Sequence, residues 1–133
     1  MDVVSLKEAI EYYTPRIDAG IAWLKSVRKG RWEKGIDLEK LRMMNGCKCI
    51  CGQAFAKEAI DQCKIDGFDW AANLLTGGLY TATSEYGFFR GPFTVVGMPD
   101  GSEKGSWAVL GDLWANRIRA ERKRLHRNRT TGK

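Results

Sequence analysis

The sequence predicts a mainly α-helical compact domain of about five to six helices, with at most a short β-hairpin around residues 93–101 and a projecting basic C-terminal helix. Apolar side chains recur three or four residues apart in most of the chain, as on one face of a helix. One β-branched run, Phe93–Val96, is bounded by turn residues, as strands are. Basic residues dominate 117–133, where the apolar stripe of the last helix ends.

Two helices are predicted in the first 30 residues. The buried face of the first carries Leu6, Ile10 and Tyr13. Thr14 is a good N-cap and Pro15 is favoured at the first helical position, so a second helix is predicted to start there. Its face carries Ile17, Ile21 and Leu24, and Gly30 ends it. In the next segment, Asp37 suits the cap of a short helix, but the alternation around it also suits a strand.

The middle of the chain is predicted to hold two more helices. Residues 51–63 form the first, because small or apolar side chains recur every fourth position at Cys51, Phe55, Ala59 and Cys63. Asn45-Gly46 before it is a turn signal. Asp69 is predicted to cap the second helix, and Gly77-Gly78 to close it.

The C-terminal part is predicted to hold a structured loop at 86–92, the strand 93–96 and a turn at Pro99-Asp100-Gly101. Ser106 is predicted to cap the last helix. The buried stripe of that helix is Leu110, Trp114 and Ile118. Apolar positions nearly vanish afterwards, so the helix is predicted to project from the body and to fray after Leu125.

Length and charge define the domain organisation. The 133 residues fit one domain, predicted to span 1–118, followed by a basic helical extension and tail at 119–133. The net charge of +6 is uneven, because residues 117–133 hold eight Lys or Arg and one acid, whereas the remainder has a charge of −1. No secretory signal and no apolar run of about 18 residues is visible. We therefore expect no membrane contact and a cytoplasmic location, where cysteines stay reduced.

Four cysteines suggest a zinc site, but their spacing argues against one. In a continuous helix, Cys51 and Cys63 would lie about 18 Å apart. One zinc ion needs its sulfurs within about 4 Å of each other. No metal site and no cofactor is predicted, and Cys47, Cys49 and Cys51 are expected to act as small buried hydrophobes. A reactive thiol remains an alternative, because Cys51 lies near a predicted helix N-terminus.

No catalytic set is predicted. The single histidine, His126, lies in the basic tail, away from a serine or cysteine partner. Phosphate-loop, dinucleotide-binding and zinc-protease motifs are missing from the sequence. Scattered carboxylates are normally solvated, although acid–base chemistry by them stays open. The sequence therefore favours a non-enzymatic role.

The strongest physical signal is the basic C-terminal helix. Its cations could neutralise several phosphates of a nucleic acid or bind an acidic partner. A solubilising tail is the alternative. The residues predicted for this interface are Arg117, Arg119, Arg122, Lys123, Arg124 and Arg127.

The glycine-flanked loop at 86–92 is a second candidate site. Its aromatic rings could stack on a base and its arginine could pair with a phosphate. Aromatic side chains in loops also serve as core anchors, and this alternative stays open. The ligand-binding residues predicted here are Tyr86, Phe88, Phe89 and Arg90.

Several segments in combination resemble a family of uncharacterised small proteins found in actinobacterial phages and their hosts. These segments are Ile17-x-x-Gly20-Ile21-Ala22-Trp23-Leu24, Trp32, Ile36-Asp37-Leu38-x-x-Leu41, Cys49-Ile50-Cys51-Gly52-Gln53, Tyr86-Gly87-Phe88 and Leu110-x-x-x-Trp114. The resemblance covers about residues 17–118. This chain departs from the pattern at Lys25, where the family usually has Asp, and at Cys51, where it usually has Leu. The resemblance implies a phage-type context and no catalytic residues.

Three hypotheses follow. The first is a non-enzymatic accessory protein that binds a host protein or an anionic, nucleotide-like signal inside the host cell, by analogy to counter host defence. The alternative is a nucleic-acid-binding protein that acts through the basic C-terminal helix. The third is thiol or metal chemistry at Cys47, Cys49 and Cys51. The sequence leaves the oligomeric state open, including a homo-oligomer.

Overall fold

The fold is known from a computed structural model, which describes residues 2–28, 32–58, 67–77, 80–98 and 104–130. It is mainly α-helical, as predicted. The α-helices are α1 (Leu6–Arg28), α2 (Ile50–Ala54), α3 (Gly67–Thr76) and α4 (Ser106–Thr130), with 3-10 helices at Trp32–Gly35 and Tyr80–Tyr86. The strands are β1 (Asp2–Ser5), β2 (Phe93–Val96) and β3 (Lys104–Gly105).

The first helix is continuous through Pro15, so the predicted break at Thr14-Pro15 is wrong. Proline removes one backbone hydrogen bond, normally at a cost of about 3 kcal/mol. Here both neighbours supply extra donors to nearby carbonyls: Thr14 Oγ1 donates to Ile10 O at 2.7 Å and Arg16 Nη1 to Tyr12 O at 2.8 Å. Pro15 is exposed, and the apolar face opposite it is buried from Ala9 to Leu24. Burial of that face therefore outweighs the missing bond. Ile10 was predicted on the buried face, but it is 38% exposed.

A reciprocal pair of hydrogen bonds starts α1 instead. The Glu8 backbone N donates to Ser5 Oγ and the Ser5 backbone N donates to Glu8 Oε1, each at 3.1 Å. This Ser-x-x-Glu arrangement satisfies two backbone donors that a helix N-terminus leaves without partners. The helix thus begins directly at the end of β1.

Replacing Ser5 with alanine is expected to lower the free energy of unfolding by about 1 kcal/mol, since it removes this N-cap. Chemical denaturation followed by circular dichroism measures the change. Ser26→Ala is the matched control, because the Ser26 hydroxyl donates only to Trp23 O in the last turn of the same helix. Equal losses in the two variants would contradict the capping role.

A three-stranded sheet in the order β1-β2-β3 packs beside the helices. Strand β2 confirms the predicted strand at 93–96. It pairs antiparallel with β3, with Thr94 opposite Gly105, so the hairpin returns beyond residue 101; the predicted turn at 99–101 lies outside the described residues. It also pairs parallel with β1, with Val4 opposite Val95, a pairing that was not predicted from the sequence.

The core lies between α1 and α4 and is closed by the segment after the second 3-10 helix. Leu110, Trp114 and Ile118 are fully buried, which confirms the predicted stripe of α4. The Trp114 ring stacks on Phe88, with 5.6 Å between centroids, and its Nε1 donates to Gly87 O at 2.6 Å. Ser106 starts α4, and its Oγ is hydrogen-bonded to the buried Tyr13 hydroxyl.

The helix predicted over 51–63 is interrupted. Helix α2 ends at Ala54, and Phe55 has a non-helical backbone (φ −119°, ψ 22°) before residues 56–58 turn helical again. Cys51 and Phe55 are buried as expected, whereas Ala59 and Cys63 lie outside the described residues. Residues 36–41 form turns, neither a helix nor a strand.

The short helix predicted around Asp69 is present as α3, which begins two residues earlier at Gly67. Gly77 closes it as predicted: its φ of +70° is a left-handed conformation that glycine adopts without strain, and its N donates to Asn73 O at 3.2 Å. Gly78 lies outside the described residues.

Helix α4 stays attached to the body beyond its last buried apolar residue. One nitrogen of Arg122, Nη2, donates to Glu33 O at 2.7 Å and to Ile36 O at 2.5 Å. The helix continues to Thr130, past Leu125, where fraying was predicted. Within the described ranges, no helix combines the length and the apolar character needed to cross a membrane.

Candidate functional site

Three of the six basic residues predicted as an interface form an exposed row on α4. Arg119, Lys123 and Arg127 are all exposed and four residues apart. They therefore follow one another along the helix surface over about 12 Å, with a turn of about 40° at each step. We call these three residues the cationic row.

The other three predicted cations are engaged by carboxylates or backbone carbonyls, whereas Arg119 donates to the Asn116 side-chain oxygen at 3.2 Å within its own helix. Arg117 pairs with Asp18 at 2.6 Å, Arg122 donates to the two backbone carbonyls described above, and Arg124 pairs with Glu121 at 2.7 Å. Above all the hydrogen bond from Arg124 lowers the pKa of the Glu121 carboxyl, so this carboxylate stays ionised and paired at neutral pH. The contacts of Arg117 and Arg122 join α4 to the rest of the protein, and the three side chains of the cationic row stay exposed.

A groove with a volume of about 660 Å³ lies between residues 38–45 and the first half of α4. Its lining includes Arg42 and Met44 on one wall and Trp107 and Arg119 on the other. Met44 is 74% exposed, which is unusual for a large apolar side chain, and Trp107 is half-buried. The groove therefore combines apolar walls with two guanidinium groups.

The groove and the cationic row follow one shallow spiral along α4, because each four-residue step turns by about 40° around the helix axis. Gly111, Ala115 and Arg119 line the groove at four-residue intervals, and the same spacing continues to Lys123 and Arg127. Arg119 is thus shared by both features. The small side chains at the first two positions leave space above the helix, while the last three carry charge.

The loop wall of the groove is fixed by a network of short-range hydrogen bonds. Asn45 Oδ1 accepts from the backbone N of Cys47 at 2.8 Å and of Lys48 at 3.1 Å, so Asn45-Gly46 is a turn as predicted. The Arg42 backbone N donates to Lys48 O at 3.2 Å, and its Nη1 donates to Leu41 O at 2.7 Å. This wall is therefore preorganised before any ligand binds.

Of the predicted ligand-binding residues, Phe88 lies in the core, and Tyr86, Phe89 and Arg90 are half-buried. Phe88 is 1% exposed between Trp23 and Trp114, so its ring offers no face to a ligand. Phe89 packs on Trp107 with 5.1 Å between ring centroids, and Arg90 Nη1 donates to Gly91 O at 3.1 Å. The alternative prediction, that aromatic side chains of this loop anchor the core, therefore holds for Phe88. The half-buried Tyr86 also packs against the core.

The cysteine segment is built for packing and capping. Cys49 is buried, and its sulfur accepts from the backbone N of Gly52 at 3.2 Å, which caps α2. Burial raises the pKa of the Cys51 thiol well above its ordinary value, with the neighbouring Cys49 adding to the shift. The thiolate expected from a helix N-terminus is thus disfavoured at Cys51. Cys47 is exposed. In the described part of the chain, no three His, Cys, Asp or Glu side chains lie close enough together to hold a metal ion.

No protein-family model, curated protein or solved structure matches the chain. The function therefore has to be argued from the groove and the cationic row. The groove residues Arg42, Met44 and Trp107 were not predicted as site residues. The available signal was Arg42-Met43-Met44-Asn45, a basic and apolar run that leads directly into a turn.

Proposed function

We propose that this chain is a non-enzymatic nucleic-acid-binding protein that contacts phosphates through the cationic row. The exposed, regularly spaced positions of Arg119, Lys123 and Arg127 carry this proposal. Lysine and arginine side chains supply most of the sequence-independent affinity for nucleic acids, because each neutralised phosphate releases condensed counterions. The body supports a one-sided interface, since residues outside 117–133 have a net charge of −1.

Replacing Arg119, Lys123 and Arg127 together with glutamine is expected to weaken binding to a DNA duplex about 100-fold at 0.1 M salt. Three phosphate contacts would be lost, so the slope of log affinity against log salt should become shallower by about 2.7. Fluorescence anisotropy over a series of salt concentrations measures both quantities. Point substitutions are preferable to deletion of 117–133, because that deletion removes the buried Ile118.

A charge-matched control distinguishes the effect of the cationic row on binding from the effect of net charge alone. Lys7, Lys34 and Lys57 are exposed and lie outside α4, and their replacement by glutamine removes the same three charges. This control should retain affinity within about threefold and keep the salt slope. Equal losses in the two triple variants would refute a localised interface.

A second candidate is capture of an anionic, nucleotide-like signal by a phage-type accessory protein, or binding of a host factor. The groove supports capture of a nucleotide-like signal, because small-molecule sites typically have volumes of about 300–1,000 Å³ and mainly apolar walls with a few polar groups. Arg42 and Arg119 would pair with the anionic group. Isothermal titration with mononucleotides and cyclic nucleotides tests this candidate, and the absence of heat would exclude it.

A further inference from the structure

We infer that the protein prefers single strands, with one unpaired base in the groove and the adjoining phosphates on the cationic row. This inference rests on the proposed function. The observation that carries it is the shared position of Arg119, which lines the groove and also starts the row. A strand that follows the row toward the N-terminal half of α4 reaches the groove at this residue.

The groove has the composition that a nucleobase needs. Met44 and Trp107 provide apolar surface on opposite walls, and Met44 is 74% exposed. Stacking on an aromatic side chain strengthens single-strand binding by about 5- to 150-fold per base and tolerates any base. Asn45 adds an amide that can hydrogen-bond to a base edge. A paired base inside a duplex cannot enter such a groove without being extruded.

The charged residues that line the groove indicate which end of it holds the phosphates. Asp112 also lines the groove, seven residues or about 10 Å along the helix from Arg119. Like charges repel, so a phosphate is less favourable beside this carboxylate than beside Arg119. Phosphates are therefore expected at the Arg119 end, where the row continues, and the base between Met44 and Trp107.

The test compares an oligothymidylate of about 20 nucleotides with a duplex of the same length by fluorescence anisotropy. The full chain should bind the single strand about tenfold more tightly, as one stacked base provides. Ala108 is exposed and lines the groove, so Ala108→Trp fills the groove without entering the core. This variant should lose that tenfold preference and keep its duplex affinity within about twofold.

Ala56→Trp is the matched control, because it introduces the same side chain at an exposed position outside the groove lining. It should bind both probes as the unmodified chain does. Met44→Ala gives a second measurement with little risk to folding, and it should lower single-strand affinity about threefold to tenfold. Circular dichroism melting verifies that each variant is folded.

The outcomes separate the inference from the proposed function. If the full chain binds both probes with equal affinity, and Ala108→Trp does not change this, the inference is overturned. The proposed role of the cationic row still stands in that case if its triple variant loses affinity for both probes. If the triple variant retains both probes, the proposed function fails and the inference fails with it. A mononucleotide that binds as tightly as the oligothymidylate also overturns the inference, because the row would then contribute nothing.

Discussion

Replacing Trp114 with alanine is expected to lower the free energy of unfolding by about 5 kcal/mol. The indole is fully buried, and its loss leaves a large cavity beside Phe88, with which it stacks at an interplanar angle of 14°. The buried carbonyl of Gly87 also loses its donor at 2.6 Å. Domains of this size have a total stability of about 5–15 kcal/mol, so the variant would be largely unfolded or only marginally folded.

Urea denaturation monitored by circular dichroism measures this effect. Trp114→Phe is the informative control, because it keeps most of the ring and removes the hydrogen bond. It should lose about 1–3 kcal/mol, the desolvation penalty of a buried carbonyl without a partner, plus a smaller loss from the smaller ring. A loss below 1 kcal/mol for Trp114→Ala would contradict the central position of this side chain.

Replacing Gly20 with alanine is expected to lower the free energy of unfolding by about 3 kcal/mol. A Cβ atom at this position would lie 2.1 Å from Tyr86 O and 3.2 Å from the Trp114 ring, so a backbone segment has to move. Intrinsic helix propensity acts in the opposite direction, because alanine is favoured over glycine by about 1 kcal/mol inside a helix. The steric cost is larger than the gain in helix propensity, so the substitution lowers the free energy of unfolding.

Gly35→Ala is the control for this substitution, since no heavy atom lies within 4 Å of the added Cβ. Its stability should change by less than about 0.5 kcal/mol. The comparison uses the same denaturation experiment. If Gly20→Ala is as stable as Gly35→Ala, the close approach of α1 to the segment around Tyr86 does not exist in solution.

Helical periodicity was sufficient to predict α3, α4 and most of the buried face of α1, although Ile10 is exposed. Periodicity predicts the buried residues of a helix where a single apolar stripe packs against one core, as with Leu110, Trp114 and Ile118. It could not predict that α1 continues through Pro15, because the compensating bonds from Thr14 and Arg16 depend on side-chain conformation. Strand β1 was not predicted, because four residues are too few to show an alternation of apolar and polar side chains. Its partner β2 is also distant in sequence.

The candidate site was predicted only in part, for a related reason. Positive charge is visible in the sequence, but its availability depends on tertiary contacts. Arg117 and Arg122 look like Arg119 in the sequence, yet the first pairs with Asp18 and the second with two backbone carbonyls. The groove was not predicted because Arg42 and Arg119 come from segments far apart in the chain.

The parallel pairing of β1 with β2 also affects biosynthesis. Val4 lies opposite Val95, so the first strand has no partner until the chain has been translated past that point. Contacts between residues so distant in sequence form slowly, because a long loop has to close first. Tyr13, on the buried face of α1, can form its hydrogen bond only after Ser106 of α4 has been synthesised. The nascent chain therefore leaves the ribosome with the apolar face of α1 uncovered, a state that chaperones recognise.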